Sequence, residues 1–456
     1  MNWDPEDTVA WAAGNDKIAR RNLIWSTVAE HVGFSIWSIW SVMVLFMPEP
    51  VYGFTAGDKF LLAATATLTG GALRIPYSLA TATFGGRNWT VFSALVLLVP
   101  TLAMMGLLAH PGLPLWPYLV CAALTGLGGG NFAASMTNVN AFYPQRLKGW
   151  ALAVNAGGGN LGVPLIQLIG LAVLATAGNR QPHWVCAIYL VLLAVTGIGA
   201  ALFMDNLDNH KVDLSALRAI LPAIDTWIIA LLYIGTFGSF IGFSFAFGQV
   251  LQISFVAGGQ NPAQAALHAA QIAFLGPLLG SVARIAGGRI ADRTGGGRVT
   301  LAAFGGMFTA AGLLVGVSTF DDHRGGPTTG ATMAGYVIGF VALFVVSGIG
   351  NGSVYKMIPS VFEARSHALG MGESDRRQWS RTMSGALIGF AGAVGAFGGV
   401  GINLALRQSY LAGGSATVAF WIFVAGYVGA AAVTWRRYVH RPVLAAPPVQ
   451  AAMTTA

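Results

Sequence analysis

Two arginines stand inside long apolar segments of this chain. Arg74 lies in FLLAATATLTGGALRIPYSLATATF and Arg284 in AAQIAFLGPLLGSVARIAGG. A guanidinium at the centre of a bilayer costs about 2.5–3.5 kcal/mol on insertion scales and more in simulations, so such residues carry function by default. The two segments occupy matching places in the two halves of the chain. Two permanent cations facing one cavity are what a carrier of small anions would need, because a guanidinium fork matches two oxygens in a way that lysine does not.

A second chemistry-bearing stretch is GGGNFAASMTNVNAFYPQRLKGWALAVNAGGGNLGVP, residues 128–164. Asn131, Asn138, Asn140, Asn155 and Asn160 fall at or near membrane depth, where an unpaired amide is expensive. Each therefore needs a partner, which is either a neighbouring helix or an anion that accepts from the NH2 group. Gly157, Gly158 and Gly159 leave a bare backbone that a helix or a ligand can approach closely. Three further titratable groups sit in apolar surroundings: Glu30 and His31 in the first span and Lys356 in the tenth. Cys121 and Cys186 read as small buried hydrophobes, without metal-ligand or redox spacing. His210 and His440 are isolated. No paired carboxylates, nucleophile triad or metal cluster marks an enzyme.

The elements that must hold these groups are membrane helices. The chain has 456 residues, of which 55% are hydrophobic and 9% charged. That composition belongs to a polytopic membrane protein. A spanning helix needs about 20 mostly apolar residues. Twelve candidates meet this, near 22–47, 60–84, 89–109, 114–142, 149–177, 183–204, 226–256, 268–291, 299–320, 331–362, 383–406 and 415–438. The first twenty residues hold no apolar signal-peptide core, so the first span should act as its own insertion signal. With both chain ends on the inner side, 18 of the 25 Lys and Arg fall in inner segments, 4 in outer loops and 3 within spans. This strong positive-inside bias accounts for the net charge of +8, and leaves a nucleic-acid role without support.

The expected organisation is a short inner N-terminal segment (1–21), a six-helix bundle (22–204), an inner linker (205–225), a second six-helix bundle (226–439) and a disordered inner tail (440–456). The halves resemble each other. Arg74 is followed by IPYSLATATFGGRNWT and Arg284 by IAGGRIADRTGGGRVT, each running to a Gly-rich basic turn and a Thr. GLGGGNFAASMTNVNAFYP likewise parallels GIGNGSVYKMIPSVF, residues 348–362. GGRIADRTGGGR resembles the short loop motif of the major facilitator superfamily, in which Asp292 would pair with nearby cations or cap a helix. Parallel six-helix halves around a midplane cavity are that superfamily's plan. The expected fold is therefore all-α, with twelve transmembrane helices in two pseudo-symmetric halves.

At the signature segments the resemblance becomes narrower. Residues 128–164 resemble the nitrate signature of the nitrate/nitrite porter family, and GIGNGSVYKMIPSVF resembles its second signature. ALRIPYS, FGGRNWT, LLYIGTFGSFIGFS, the AR of SVARIAGG and the opening WDPED add separated matches along the whole chain. This resemblance implies roles residue by residue. Arg74 and Arg284 correspond to the two substrate-binding arginines. Phe132 corresponds to a ring packed on the anion plane, Asn160 to an amide that hydrogen-bonds substrate, and Tyr233 and Phe237 to an aromatic face. Asn131, Asn138, Asn155, Gly157, Gly158, Gly159, Gly350, Asn351 and Gly352 correspond to signature or packing positions. The chain departs from the family's bacterial members at Ala156, at Lys356 and at the Glu30–His31 pair.

Several expectations follow. The substrates are nitrate and nitrite, with no cofactor and no metal. The setting is the lipid of a bacterial inner membrane, in nitrate respiration or assimilation, with a functional monomer. An empty cavity holding two like charges resists closure, which favours nitrate/nitrite exchange. The alternative is proton-coupled nitrate symport through Glu30, His31 or Lys356. Glu30 and His31, eight or nine residues into the first span, would otherwise snorkel or pair near the inner interface. Lys356 would be a third cavity cation or the partner of Glu30. A transport-dead anion sensor is a further reading.

Overall fold

The computed structural model describes residues 1, 3–208 and 214–440. Most of the expected tail and the linker residues His210 and Lys211 lie outside the described residues. Among the described residues the chain is helical throughout, with no strand.

Among the described residues, eleven helices are long and apolar enough to cross a bilayer. We label them α1 (Thr8–Phe46), α3 (Gly86–Ala109), α4 (Leu115–Phe142), α5 (Gln145–Ala177), α6 (His183–Phe203), α7 (Ile224–Ala257), α8 (Pro262–Thr294), α9 (Gly296–Arg324), α10 (Gly330–Ser366), α11 (Glu373–Gly413) and α12 (Thr417–His440). The twelfth segment, α2, consists of Ala56–Ala72 and Arg74–Phe84, joined at Leu73. Its break has a sequence cause. Pro76 lacks the N–H that a continuous helix would use at that turn, and its ring crowds the preceding backbone. Arg74 thus opens the second piece. A short helix, Leu214–Ile220, precedes α7.

Helical structure extends before residue 22. Asp7 caps the helix by accepting from the backbone N–H of Val9 and Ala10 at 2.9 Å each, so α1 starts at Thr8. Most of the segment 1–21 is therefore helical, but the run is kinked at Gly14 (φ 136°) within Trp11–Asn15, and the helix that carries Glu30 is Asp16–Trp37. Glu30 lies in the second half of that Asp16–Trp37 helix.

Glycines set the closest helix approaches. A side chain at Gly128 would strike the carbonyl of Gly33, which joins α4 to α1, and one at Gly348 would strike the carbonyl of Gly280, which joins α10 to α8. Small residues that let backbones approach are the usual basis of membrane helix packing. The outer surface is inverted relative to a soluble protein. Val99, Leu202, Phe320, Ile338 and Trp421 are all more than half exposed, which suits contact with lipid.

The two halves meet tightly on one face and part on the other. Gln167 donates to the Ser244 carbonyl at 2.9 Å, Gln249 to that of Ala56 at 2.9 Å and Gln252 to that of Leu45 at 3.1 Å. On the opposite face a cavity of about 1010 Å³ opens between the halves, lined by Lys148, Leu152, Glu363, Arg377, Arg381 and Ser384 among others. A second cavity of about 440 Å³ leads past Ala156, Gly157, Lys356 and Tyr355 to Arg284.

Candidate functional site

Arg74 is 1% exposed and reaches across the interface between the halves. Its Nη1 donates to the Gly392 carbonyl of α11 at 2.5 Å. The guanidinium carbon lies 4.7 Å from the Phe132 ring centre, 5.0 Å from Phe237, 5.4 Å from Trp37 and 5.8 Å from Phe34. Cation–π attraction from rings of both halves thus holds the group without neutralising it. Its Nε and Nη2, the edge that grips two oxygens at once, have no acceptor among the described residues.

Arg284 occupies the corresponding place on α8. Close packing of α8 on α10 fixes it: a side chain at Gly352 would strike the Arg284 carbonyl and come within 2.6 Å of the Gly288 nitrogen. Its guanidinium carbon lies 5.1 Å from the Tyr355 ring centre. Its Nη1 is buried without a partner among the described residues, and so is the Tyr355 hydroxyl. The two arginines are near enough for each to feel the other's charge. Buried polar groups in proteins are almost always satisfied. Four unsatisfied donors around two cations therefore describe a place for an anion with several oxygen acceptors.

The aromatic faces stand beside this place. Tyr233 and Phe237 stack at 5.2 Å with planes 4° apart, and Tyr233 stacks on Tyr355 at 4.5 Å and 19°. Phe132 stacks on Phe34 at 6.1 Å and 22°. Phe132, Tyr233 and Phe237 are all buried between the halves and not turned to lipid.

The signature asparagines divide. Asn131 donates to the Ala29 carbonyl at 3.2 Å and Asn138 to Ser26 Oγ at 3.0 Å, so both tie α4 to α1. Asn155 donates to Glu30 Oε2 at 2.5 Å and Ser135 Oγ at 2.8 Å. Asn140 is exposed and lines the open cavity. Asn160 is buried at the end of the Gln145–Asn160 helical piece, with its side-chain oxygen unpartnered among the described residues. The Asn351 oxygen is likewise unpartnered. Among the glycines, Gly158 abuts Thr27, Gly159 abuts the Glu30 carboxyl and Gly350 abuts Thr236. Gly157 faces the cavity with no atom near its Cβ position.

The three titratable candidates separate just as clearly. Glu30 is fully buried, so its carboxyl pairs locally and does not snorkel to solvent. It accepts from Ser135 Oγ and Asn155 Nδ2 at 2.5 Å each, and both arginines act on its charge. His31 is turned away, and its Nδ1–H donates to the Gly158 carbonyl at 2.8 Å. Lys356 is not Glu30's partner. Its Nζ pairs with Asp292 at 2.8 Å, both side chains being about half exposed, at 48% and 53%. Cys121 and Cys186 are buried free thiols.

The sequence did not single out Tyr355, Phe34, Trp37 or the Gly392 carbonyl. Tyr355 was visible in principle, since it stands next to Lys356 in the second signature segment. Gly392 offered no signal, because its role is that of a backbone oxygen.

The chain's likeness to known proteins agrees with this geometry. The family model described as Major Facilitator Superfamily matches residues 31–374. Nitrate/nitrite transporter NarU of Salmonella typhimurium is 33% identical over 464 residues, covering 96% of each chain. NarU of Escherichia coli K12 is also 33% identical, again over 96% of each chain. The probable nitrate/nitrite antiporter NarK2 of Thermus thermophilus is 30% identical with the same coverage. Among solved structures, the nucleoside transporter NupG superposes with a TM-score of 0.61 at 11% identity, covering 91% of this chain and 98% of that one. That last likeness bears on the fold alone. With twelve membrane segments in two halves and relatives matched over nearly its whole length, this chain belongs to the Major Facilitator Superfamily and, within it, to the nitrate/nitrite transporter family.

Proposed function

We propose that this chain carries nitrate and nitrite across the bacterial inner membrane by alternating access, exchanging one for the other. It is a carrier and not an enzyme. One anion lies between Arg74 and Arg284. The observation that carries this reading is the set of unsatisfied buried donors: Arg74 Nε and Nη2, Arg284 Nη1 and the Tyr355 hydroxyl. A small planar or bent oxyanion satisfies them together. The flat rings of Phe132 and Phe237 beside Arg74, with Tyr233 stacked on Phe237, suit a planar anion over tetrahedral phosphate and sulfate, and Asn160 adds a neutral amide.

Exchange follows from the cost of burying charge. Closing the site over unpaired guanidiniums costs several kcal/mol per ion, and a bound anion lowers that cost. The loaded carrier therefore switches more readily than the empty one. Nitrate moving in against nitrite moving out keeps it loaded. The cation-rich face bearing Lys148, Arg377 and Arg381 is read as cytoplasmic, with both chain ends on that side. In that orientation the structure is the inward-open form. The working unit is the monomer, since the whole site lies within one chain.

The test is nitrate binding by titration calorimetry on purified wild type, Arg74→Lys and Arg284→Lys. Hydrogen bonds to charged groups are worth about 1.5–3 kcal/mol, so each lysine variant should bind at least about tenfold more weakly. Wild-type affinity in either folded variant would contradict the two-arginine site.

A further inference from the structure

Lys356 is not part of the arginine site, yet it stands on the way to it. The cavity of about 440 Å³ that reaches Arg284 is also bordered by Lys356 and Asp292. On α8, Arg284, Gly288 and Asp292 recur every four residues and so share one face. At 1.5 Å per residue, Gly288 lies about 6 Å and Asp292 about 12 Å along the helix from Arg284. The Lys356 side chain of α10 is laid along this face. Its Cε is 3.9 Å from the place of a Cβ at Gly288, and its Nζ pairs with Asp292 Oδ1 at 2.8 Å. That pair uses one of three ammonium donors, and Nζ has no other partner among the described residues. The wall contributed by the other half, with Met136, Leu152, Ala153 and Ala156, brings no charge. Arg289 also borders the cavity and is exposed.

We propose that Lys356 is a second anion station, one to two helical turns from Arg284 on the side read as inner. A small monovalent anion pauses there between solvent and the arginine site. The proposal rests on the two-arginine reading of the site and deepens it. With one donor on Asp292, the ammonium keeps two for an anion, which joins the pair without displacing the carboxylate. The Asp292 charge keeps that binding weak. Weak binding suits a place of passage, since an anion held tightly here would move neither on to Arg284 nor out to solvent.

The station and the arginine site differ in what they accept. An ammonium is a compact point charge on a flexible stem, whereas a guanidinium is a planar fork. Lys356 therefore takes chloride as readily as nitrite, and selection by shape comes only at the arginines and their flat rings. Capture and selection are divided between two places on one route. Chloride on the inner side then competes with nitrite for Lys356. Chloride on the outer side does not, because the station lies beyond the arginine site from there.

The test uses the full-length protein in proteoliposomes of one known orientation, with labelled nitrate exchanging against nitrite. Lys356→Gln removes the charge at similar length. It should raise the half-saturating nitrite concentration on the inner side about two- to fivefold, the worth of one half-exposed charge contact. The half-saturating nitrate concentration on the outer side should not move. Inner chloride should raise the inner value in wild type and leave it unchanged in Lys356→Gln, and Lys356→Arg should restore both behaviours. An unchanged inner value in Lys356→Gln would overturn the proposal. So would an equal rise on both sides, which marks a pair that merely holds α8 to α10. Should Lys356→Gln fail to fold, wild type decides: chloride competition confined to the inner side supports the station, and competition on both sides or neither overturns it. Calorimetric nitrate binding by purified wild type separates the two claims. No binding there ends the two-arginine reading, whereas binding without the Lys356 effects ends the station alone.

Discussion

Arg74 divides its donors between two tasks. Nη1 anchors the side chain to the opposite half through the Gly392 carbonyl, and the Nε–Nη2 edge, without a partner among the described residues, is the part the proposed site assigns to ligand. The cage of Phe132, Phe237, Trp37 and Phe34 keeps the charge in place without supplying a counter-ion. Arg284 is steadied by the Tyr355 ring, and its Nη1 has no such anchor among the described residues. Tyr355 therefore has two parts to play: its ring stacks on Tyr233 and under Arg284, while its hydroxyl is free to donate. Tyr355→Phe keeps the stack and removes the donor. It should weaken nitrate binding by about tenfold, the worth of one hydrogen bond to a charged group, with the melting temperature unchanged. Unchanged affinity would show that the hydroxyl does not face the anion.

Helix elements position these residues through breaks and close contacts. Pro76 opens α2 at Leu73 and so sets Arg74 at the head of its second piece. Gly352 lets α10 press against the backbone of α8 beside Arg284. A methyl there meets backbone, which does not yield as a side chain would. Gly352→Ala should thus cost about 1–3 kcal/mol, read as a lower melting temperature in detergent. Gly157→Ala is the control, because no atom lies within 4 Å of its Cβ position and stability should hold. Equal loss in both would mean that close helix approach is not what the signature glycines provide. The helical spans were legible in the sequence because hydropathy and loop charge are local patterns. The short helical stretch that opens at Thr8 was hidden, since the Gly14 kink and the polar residues Asn15, Asp16, Lys17, Arg20, Arg21 and Asn22 separate it from the apolar run and only the Asp7 cap announces it. The surroundings of Glu30 were hidden for another reason. Its partners come from residues 135 and 155, more than one hundred positions away, and sequence spacing carries no record of them. Lys356 likewise found Asp292, a pairing that the motif left open among several cations. Arg74 and Arg284 were conspicuous from the start, because charge inside an apolar run is costly wherever it falls.

The whole molecule is two bundles closed along one face and parted along the other. Gln167, Gln249 and Gln252 seal the closed face with bonds to backbone carbonyls of the opposite half, and Arg74 adds the deepest one. Each is a single neutral or charge-assisted bond to a carbonyl, which the proposed alternating access would exchange for another partner. The open face leads from Lys148, Arg377 and Arg381 down to Arg284, a path whose cations suit an anion. The sites of change are few and lie in the middle, where both halves contribute to one pocket. In the proposed exchange occupancy is the condition for switching, and flux is where that condition is read most directly. We would follow labelled nitrate entering proteoliposomes loaded with nitrite, beside vesicles loaded with chloride, at equal pH on both sides. The account predicts rapid uptake in the nitrite-loaded vesicles and little in the chloride-loaded ones. Equal uptake in both, or none in either, would contradict it.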